Sequence, residues 1–158
     1  LEGADVVIEN YRMGTMEKLG LGYEELRKIN PGLIYCEISG FGRTGPYADR
    51  GGFDLIAQGM SGLMSITGEG EGRPPVKVGA PVTDITAGII AAMGVLAAYT
   101  SRLKTGEGQK VDTSLFEAGS EAEALETIAR IVFASTKPTF SVPMDWTIEK
   151  LYTTAERV

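Results

Sequence analysis

The chain has 158 residues, 43% hydrophobic and 23% charged, enough for one domain with a real core and too few for two comfortable ones. Its formal net charge is -6 with no long basic run, which argues against nucleic acid as a partner. It has no histidine and one cysteine, Cys36, so Ser–His and Cys–His pairs, histidine metal sites and an intramolecular disulfide are excluded, and no metal is expected. Acid–base work then falls to carboxylates, Lys, Tyr or the thiol. A lone thiol suits a reducing compartment, and the start at Leu1 shows no charged and apolar leader. A cytoplasmic setting is therefore expected, with the chain read as an internal piece of a longer protein.

In chain order, Val6-Val7-Ile8 is a short β-branched run that predicts a buried strand. Asn10 to Gly14 turns into a short helix near Thr15–Leu19, with Thr15 as its cap. A second helix over Tyr23–Ile29 is stopped by Asn30-Pro31-Gly32. Leu33–Ile38 reads as the next strand, and Ser39–Gly52 as a long Gly/Pro loop of the kind that is often functional. The spacing of Phe53, Ile56, Ala57, Met60 and Met64 predicts a helix to Ser65, followed by another Gly/Pro loop over Thr67–Pro75. Val76–Val82 is extended at best.

From Asp84 the longest apolar stretch, Ile85–Tyr99, runs to Arg102-Leu103-Lys104-Thr105-Gly106, a cationic last turn followed by a glycine stop. At this length it reads as a buried core helix rather than a membrane span. Gln109–Ser114 alternates into a strand, and Leu115 to about Ala134 reads as a helix with an acidic face. Ser135–Val158 reads as loop plus a short helix around Thr147–Glu156. Strands alternating with helices give an α/β fold with a mostly parallel sheet.

The segment richest in chemical possibility is Val78-Gly79-Ala80-Pro81-Val82-Thr83-Asp84. An Asp at the mouth of an apolar helix is first of all a preferred N-cap. The same placement also suits a nucleophile, because the helix N-terminus favours the ionised carboxylate, and small neighbours at Gly79, Ala80, Ala87 and Gly88 leave room for a bulky ligand. Asp54 is expected to cap the helix that follows it, or else to stand near the site as a second carboxylate.

Several segments, in unbroken order, together resemble the class III CoA-transferases. They include Asn10-Tyr11 with Gly14, Leu19-Gly20, Asn30-Pro31, Ser39-Gly40-Phe41-Gly42, Thr44-Gly45-Pro46-Tyr47 and Gly52-Phe53-Asp54-Leu55-Ile56-Ala57-Gln58. Further along stand Pro74-Pro75-Val76, Val78-Gly79, Asp84 and Lys104 to Asp112. Each motif is weak alone; their order and spacing are specific.

The resemblance implies a partial Rossmann-like large domain over residues 1–118, incomplete at its N-terminus, followed by a helical segment and tail over 119–158 that it does not reach. It implies Asp84 as the carboxylate that is acylated by an acyl-CoA and then carries CoA as a thioester. Asn10 and Tyr11 match the strand-end pair lining the CoA site, Lys18 stands where a cation meets the phosphates, and Thr15, Gly79 and Ala80 are grouped with them as CoA-binding. Backbone N–H groups near Gly79–Ala80 are candidates for holding an oxyanion. The implied partners are an acyl-CoA, a carboxylic acid acceptor and a second copy of the chain in an interlocked homodimer. Two alternatives stay open: an acyl-CoA racemase of the same fold, and a non-catalytic α/β oligomerisation or binding fragment. The related racemases carry a His where this chain has Phe53, so half of the acid/base pair they need is missing.

Overall fold

The computed structural model describes residues 3–70 and 72–120. Three strands, β1 (Val6–Glu9), β2 (Ile34–Ser39) and β3 (Lys110–Ser114), form a sheet in the order β1-β2-β3, all parallel. The helices are α1 (Thr15–Lys18), α2 (Tyr23–Ile29), α3 (Asp54–Met60), α4 (Val82–Thr105) and α5 (Leu115–Gly119). The α/β class and the parallel pairing follow the sequence expectation. Parallel neighbours need crossover connections, and the long Gly/Pro segments and helices between the strands supply them.

β2 is the middle strand and is almost entirely buried. Tyr35 packs with Leu26 and Leu33, joined by Val7, Met16 and Tyr23, so α1 and α2 cover that face. The Tyr35 hydroxyl donates to the Leu21 carbonyl at 3.2 Å. Alternation turns Ile34 and Cys36 to the opposite face, where both are fully buried and α4 lies against β2 and β3. Burial pushes the Cys36 thiol up to about 11, with Asp112, Glu37 and Glu9 adding to the shift. It is therefore a packing residue, protonated at neutral pH.

Three sequence boundaries move. The helix read over Phe53–Ser65 breaks at Gly62, where φ is 85°, into α3 and a single 3-10 turn over Leu63–Ser65. α1 begins after Gly14, which occupies the N-cap position, so Thr15 is its first helical residue rather than its cap. The helix read over Leu115–Ala134 closes at Gly119 with Ser120 extended. The remainder of that helix and the short helix around Thr147–Glu156 lie outside the described residues.

α4, read as a buried core helix, is buried along one side only. Thr83, Ala87, Ile90, Ala91, Gly94, Ala98 and Ser101 form a buried stripe, while Ile85, Ile89, Leu96 and Leu103 on the other side are exposed. Length and composition alone would let α4 cross a membrane, but its buried stripe packs on β2, β3, α3 and α5 in the manner of a core helix. At its end the Gly106 N–H returns to the Arg102 carbonyl at 2.7 Å, with Gly106 left-handed at φ 79°. The Arg102 guanidinium reaches the Gly32 carbonyl at 3.0 Å and Asp5 at 2.8 Å, tying this end of α4 to the start of the sheet.

The loop after β2 is closed at its neck by two glycines. A Cβ on Gly40 or on Gly52 would collide with the backbone of the other. This contact brings the start of α3 back to the end of β2, which is what assembles the cleft described below. Gly52→Ala is expected to cost about 1–3 kcal/mol through forced separation of the two segments. Urea unfolding of the intact protein checks this, and stability equal to the wild type would contradict the contact.

Candidate active site

The first turn of α4 fixes the site. Pro81 is its N-cap residue and Asp84 is the third residue of the helix, so the helix begins two residues earlier than Asp84 and does not use it as a cap. Its leading amides already have partners. The Val82 N–H donates to the Ala80 carbonyl at 2.9 Å, and the Thr83 N–H donates to Asp54 Oδ1 at 2.9 Å. The Asp84 N–H is also directed at the Asp54 carboxylate, and the Ile85 N–H makes the first intrahelical bond, to Pro81, at 3.0 Å. The Thr83 hydroxyl adds a second bond to Asp54 Oδ1 at 2.8 Å.

Asp54 therefore caps α4, not α3, whose own N-cap Phe53 has no side-chain bond. Gln58, one helical turn on and fully buried, donates to Asp54 Oδ2 at 2.6 Å and to the Ala80 carbonyl at 3.4 Å. Its Oε1 accepts the Val78 N–H at 2.8 Å. One buried amide thus links α3, the chain approaching α4, and the capping carboxylate.

The two carboxylates are driven apart electrostatically. Burial alone would raise Asp54, but the Thr83 hydroxyl and amide, the Gln58 amide and the Asp84 N–H outweigh it and hold its carboxyl below the usual range. Asp84 goes the other way: loss of water raises it, and the Asp54 charge adds to the rise. Among the described residues no hydrogen bond offsets that rise, so there its oxygens are uncommitted. They are also accessible, since Asp84 is exposed.

Asp84 faces a cleft of about 580 Å³ shared with Asn10, Tyr11, Arg50, Phe53, Asp54 and Gly88. A Cβ on Gly88 would meet nothing within 4 Å, so the helix surface one turn beyond Asp84 is open. The opposite wall is rigid. The Tyr11 N–H donates to Glu9 Oε2 at 2.6 Å, and both Arg43 Nη1 and Nη2 donate to the Tyr11 carbonyl at 3.4 Å. Arg43 in turn bridges the buried carboxylates of Glu9 and Glu37, the latter through Nε at 3.2 Å, and Lys110 Nζ joins Glu37 at 2.9 Å. Removing one member of such a buried set leaves an uncompensated charge, so the strand end carrying Asn10 and Tyr11 is held firmly.

A model of CoA-transferase family III matches residues 1–157. The chain belongs to CoA-transferase family III. It is 49% identical over 129 residues to the succinate–glutarate CoA-transferase of Agrobacterium fabrum, covering 82% of this chain and 32% of that protein. It is 52% identical over 122 residues to the succinyl-CoA:mesaconate CoA-transferase of Haloarcula hispanica, covering 75% and 31%. Over 114 residues it is 47% identical to the acetyl-CoA:oxalate CoA-transferase of Acetobacter aceti, covering 72% and 29%. A crystal structure of a CAIB/BAIF family protein from Brucella suis superposes with a TM-score of 0.73 at 46% identity, covering 85% of this chain and 35% of that one. The chain thus spans about a third of the length of the relatives it matches.

Of the residues singled out in the family III sequence, the fold brings Asp84, Asn10 and Tyr11 to one cleft. Thr15 and exposed Lys18 stand on α1, which follows the cleft residue Met13, and do not line it. Gly79 and Ala80 do not line it either. Their carbonyls accept from Lys77 Nζ at 3.3 Å and from Gln58 at 3.4 Å, which ties this stretch to α3 at the entry of α4. Sequence reasoning missed Arg12, Arg43, Arg50 and Gln58. For Gln58 the signal was present: a polar residue one turn after Asp54 on a helix whose neighbour Ala57 is core. Among the described residues no group of three or more His, Cys, Asp and Glu side chains has metal-holding geometry.

The two carboxylates should carry opposite stability signatures. Asp54, depressed in the fold, stabilises it above its unfolded pKa and loses that contribution as pH falls through its folded value. Asp54→Ala is thus expected to cost about 1 kcal/mol or more near neutral pH, with a smaller difference in acid. Asp84, raised in the fold, opposes folding once ionised, so Asp84→Asn should leave the melting temperature unchanged or higher. Thermal unfolding of both variants at neutral and acid pH checks this; a destabilised Asp84→Asn contradicts it.

Proposed function

We propose that the protein moves CoA from an acyl-CoA to a carboxylic acid through covalent intermediates on Asp84. The observation that supports this most directly is the uncommitted Asp84 carboxylate, exposed in a cleft while its neighbour Asp54 takes up the helix-mouth amides. In the first step an Asp84 oxygen attacks the thioester carbonyl carbon. A C–O bond forms, the C–S bond breaks, and CoA leaves as a thiolate, with a mixed anhydride on Asp84. The thiolate then attacks the Asp84 carboxyl carbon, releasing the first acid as its carboxylate and leaving an aspartyl-CoA thioester. The acceptor carboxylate attacks that thioester to give a new anhydride, and the expelled thiolate takes the acceptor's acyl carbon. The product acyl-CoA departs and the Asp84 carboxylate is restored, without any net oxidation or proton change.

The residues have separable roles in this scheme. Asp54 and Gln58 position α4, and the raised Asp84 carboxyl is a better nucleophile when ionised than an ordinary aspartate, by the general rise of nucleophilicity with basicity. Tyr11, Met13 and Phe53 are exposed apolar surfaces that suit the uncharged arm of CoA, and Asn10 offers it an amide. The adenine and phosphate end falls towards α1, where Thr15 and Lys18 stand. The acids named for the three relatives above, glutarate, mesaconate and oxalate, each carry two carboxylates, so a dicarboxylic acid is the acceptor class we infer. A second copy of the chain belongs to the same reading. The racemase alternative has Phe53 at the cleft where a proton-transfer group is needed.

Incubating the intact protein with an acyl-CoA and trapping with hydroxylamine should leave a hydroxamate on the peptide containing Asp84. Asp84→Asn should lose both the adduct and transfer, by roughly three orders of magnitude or more in kcat. Transfer activity without an adduct on that peptide would sink the proposal.

A further inference from the structure

Three arginines line the Asp84 cleft, and they are not equivalent. Arg43 is consumed by Glu9, Glu37 and the Tyr11 carbonyl. Arg12 and Arg50 enter no ion pair among the described residues. The two carboxylates in the cleft do not serve them: Asp54 is spent on the mouth of α4, and Asp84 is the reacting group of the proposed function.

Arg50 is nonetheless held in place. Its backbone N–H donates to the Tyr47 carbonyl at 2.9 Å, and its guanidinium carbon stands 4.5 Å from the centre of the Tyr47 ring. Tyr47 lies 5.6 Å from Phe41, and Phe41 6.1 Å from Phe116 at the start of α5. An aromatic file therefore runs from the helix beside the sheet out to a cation at the cleft. On the other side of the same backbone turn, a Cβ on Gly51 would sit 3.3 Å from Arg12 Nη2 and 3.6 Å from both Cζ and Nε. The three near-equal distances place the guanidinium over the space that a Gly51 side chain would fill, so the glycine leaves Arg12 its room beside Arg50. Two guanidinium groups in one cleft, one of them stacked on an aromatic ring and neither paired with an anion among the described residues, form a receptor for one.

We propose that Arg50, with Arg12 over Gly51 beside it, binds the second carboxylate of a dicarboxylic acid while its first carboxylate reacts at Asp84. This rests on the proposed function and adds the residues that would choose the acid. A planar guanidinium fits a carboxylate with two parallel N–H···O bonds, a match that a lysine cannot reproduce and a methyl group cannot use. A monocarboxylic acid of the same length would leave both cations unsatisfied, which supplies the discrimination.

The test compares succinate with butyrate as CoA acceptors for the intact protein, with one acyl-CoA donor throughout, in the wild type, Arg50→Met and Arg50→Lys. The ratio of kcat/KM for succinate to that for butyrate should fall at least tenfold in Arg50→Met. Arg50→Lys should recover part of it, and Arg12→Met should lower the ratio too. The loss should lie mainly in the KM for succinate. An unchanged ratio with both acceptors weakened equally, or a raised KM for the CoA donor alone, would mean that Arg50 serves the CoA phosphates or the fold, and overturns the inference. Those results leave CoA transfer itself standing. A wild type that transfers CoA to butyrate as readily as to succinate overturns the inference alone, and one that transfers CoA to none of succinate, butyrate, glutarate, mesaconate and oxalate overturns the proposed function and this inference with it.

Discussion

The site depends on one carboxylate binding the mouth of a helix to which it does not belong. A 24-residue helix presents unsatisfied N–H groups in its first turn, and here Asp54, from α3, accepts those of Thr83 and Asp84 together with the Thr83 hydroxyl. Two consequences follow from that single arrangement. α4 is pinned at a defined distance from α3, and Asp84, in the first turn of α4, has no amide to bind. The positive end of the helix is spent on Asp54, so Asp84 keeps both its oxygens and an elevated pKa. The capping role that the sequence suggested for Asp84 belongs to Asp54, which leaves the Asp84 carboxylate open for the role proposed above.

The remaining contacts serve that arrangement. Buried Gln58 ties Asp54 to Val78 and Ala80, so the chain leading into α4 cannot drift. The Gly40–Gly52 neck draws the start of α3 against the end of β2. Across the cleft, Arg43 spans Glu9 on β1 and Glu37 on β2, which are paired in register, and fixes Tyr11 through its carbonyl. A buried ion set of this kind is weak evidence for stability, but its geometry is specific. Here it sets the far wall of the cleft relative to the sheet that also supports α4.

Local signals in the sequence located most of the frame. β-branched runs bounded by Asp, Asn, Pro and Gly marked β1 and β2, and the span of α2 was read residue for residue, because turn chemistry and periodicity agree there. Asp84, Asn10 and Tyr11 were found through motif order and converge in the fold. What stayed hidden depends on distant partners. Asp54 meets Thr83 29 residues on, Arg43 meets Glu9 34 residues back, and no periodicity reports either contact. The exposed side of α4 was equally illegible, since Ile85, Ile89, Leu96 and Leu103 look like core residues by composition. Nothing in the loop sequence around Arg50 reports the aromatic file beneath it.

The division of labour between the two aspartates can be measured by following the side-chain carboxyl carbons of Asp54 and Asp84 through an NMR pH titration, in the wild type and in Asp54→Asn. Asp84 should titrate above an ordinary aspartate and Asp54 below one, and removing the Asp54 charge should move Asp84 downwards. An Asp84 that titrates below Asp54, or that does not respond to Asp54→Asn, would contradict the account.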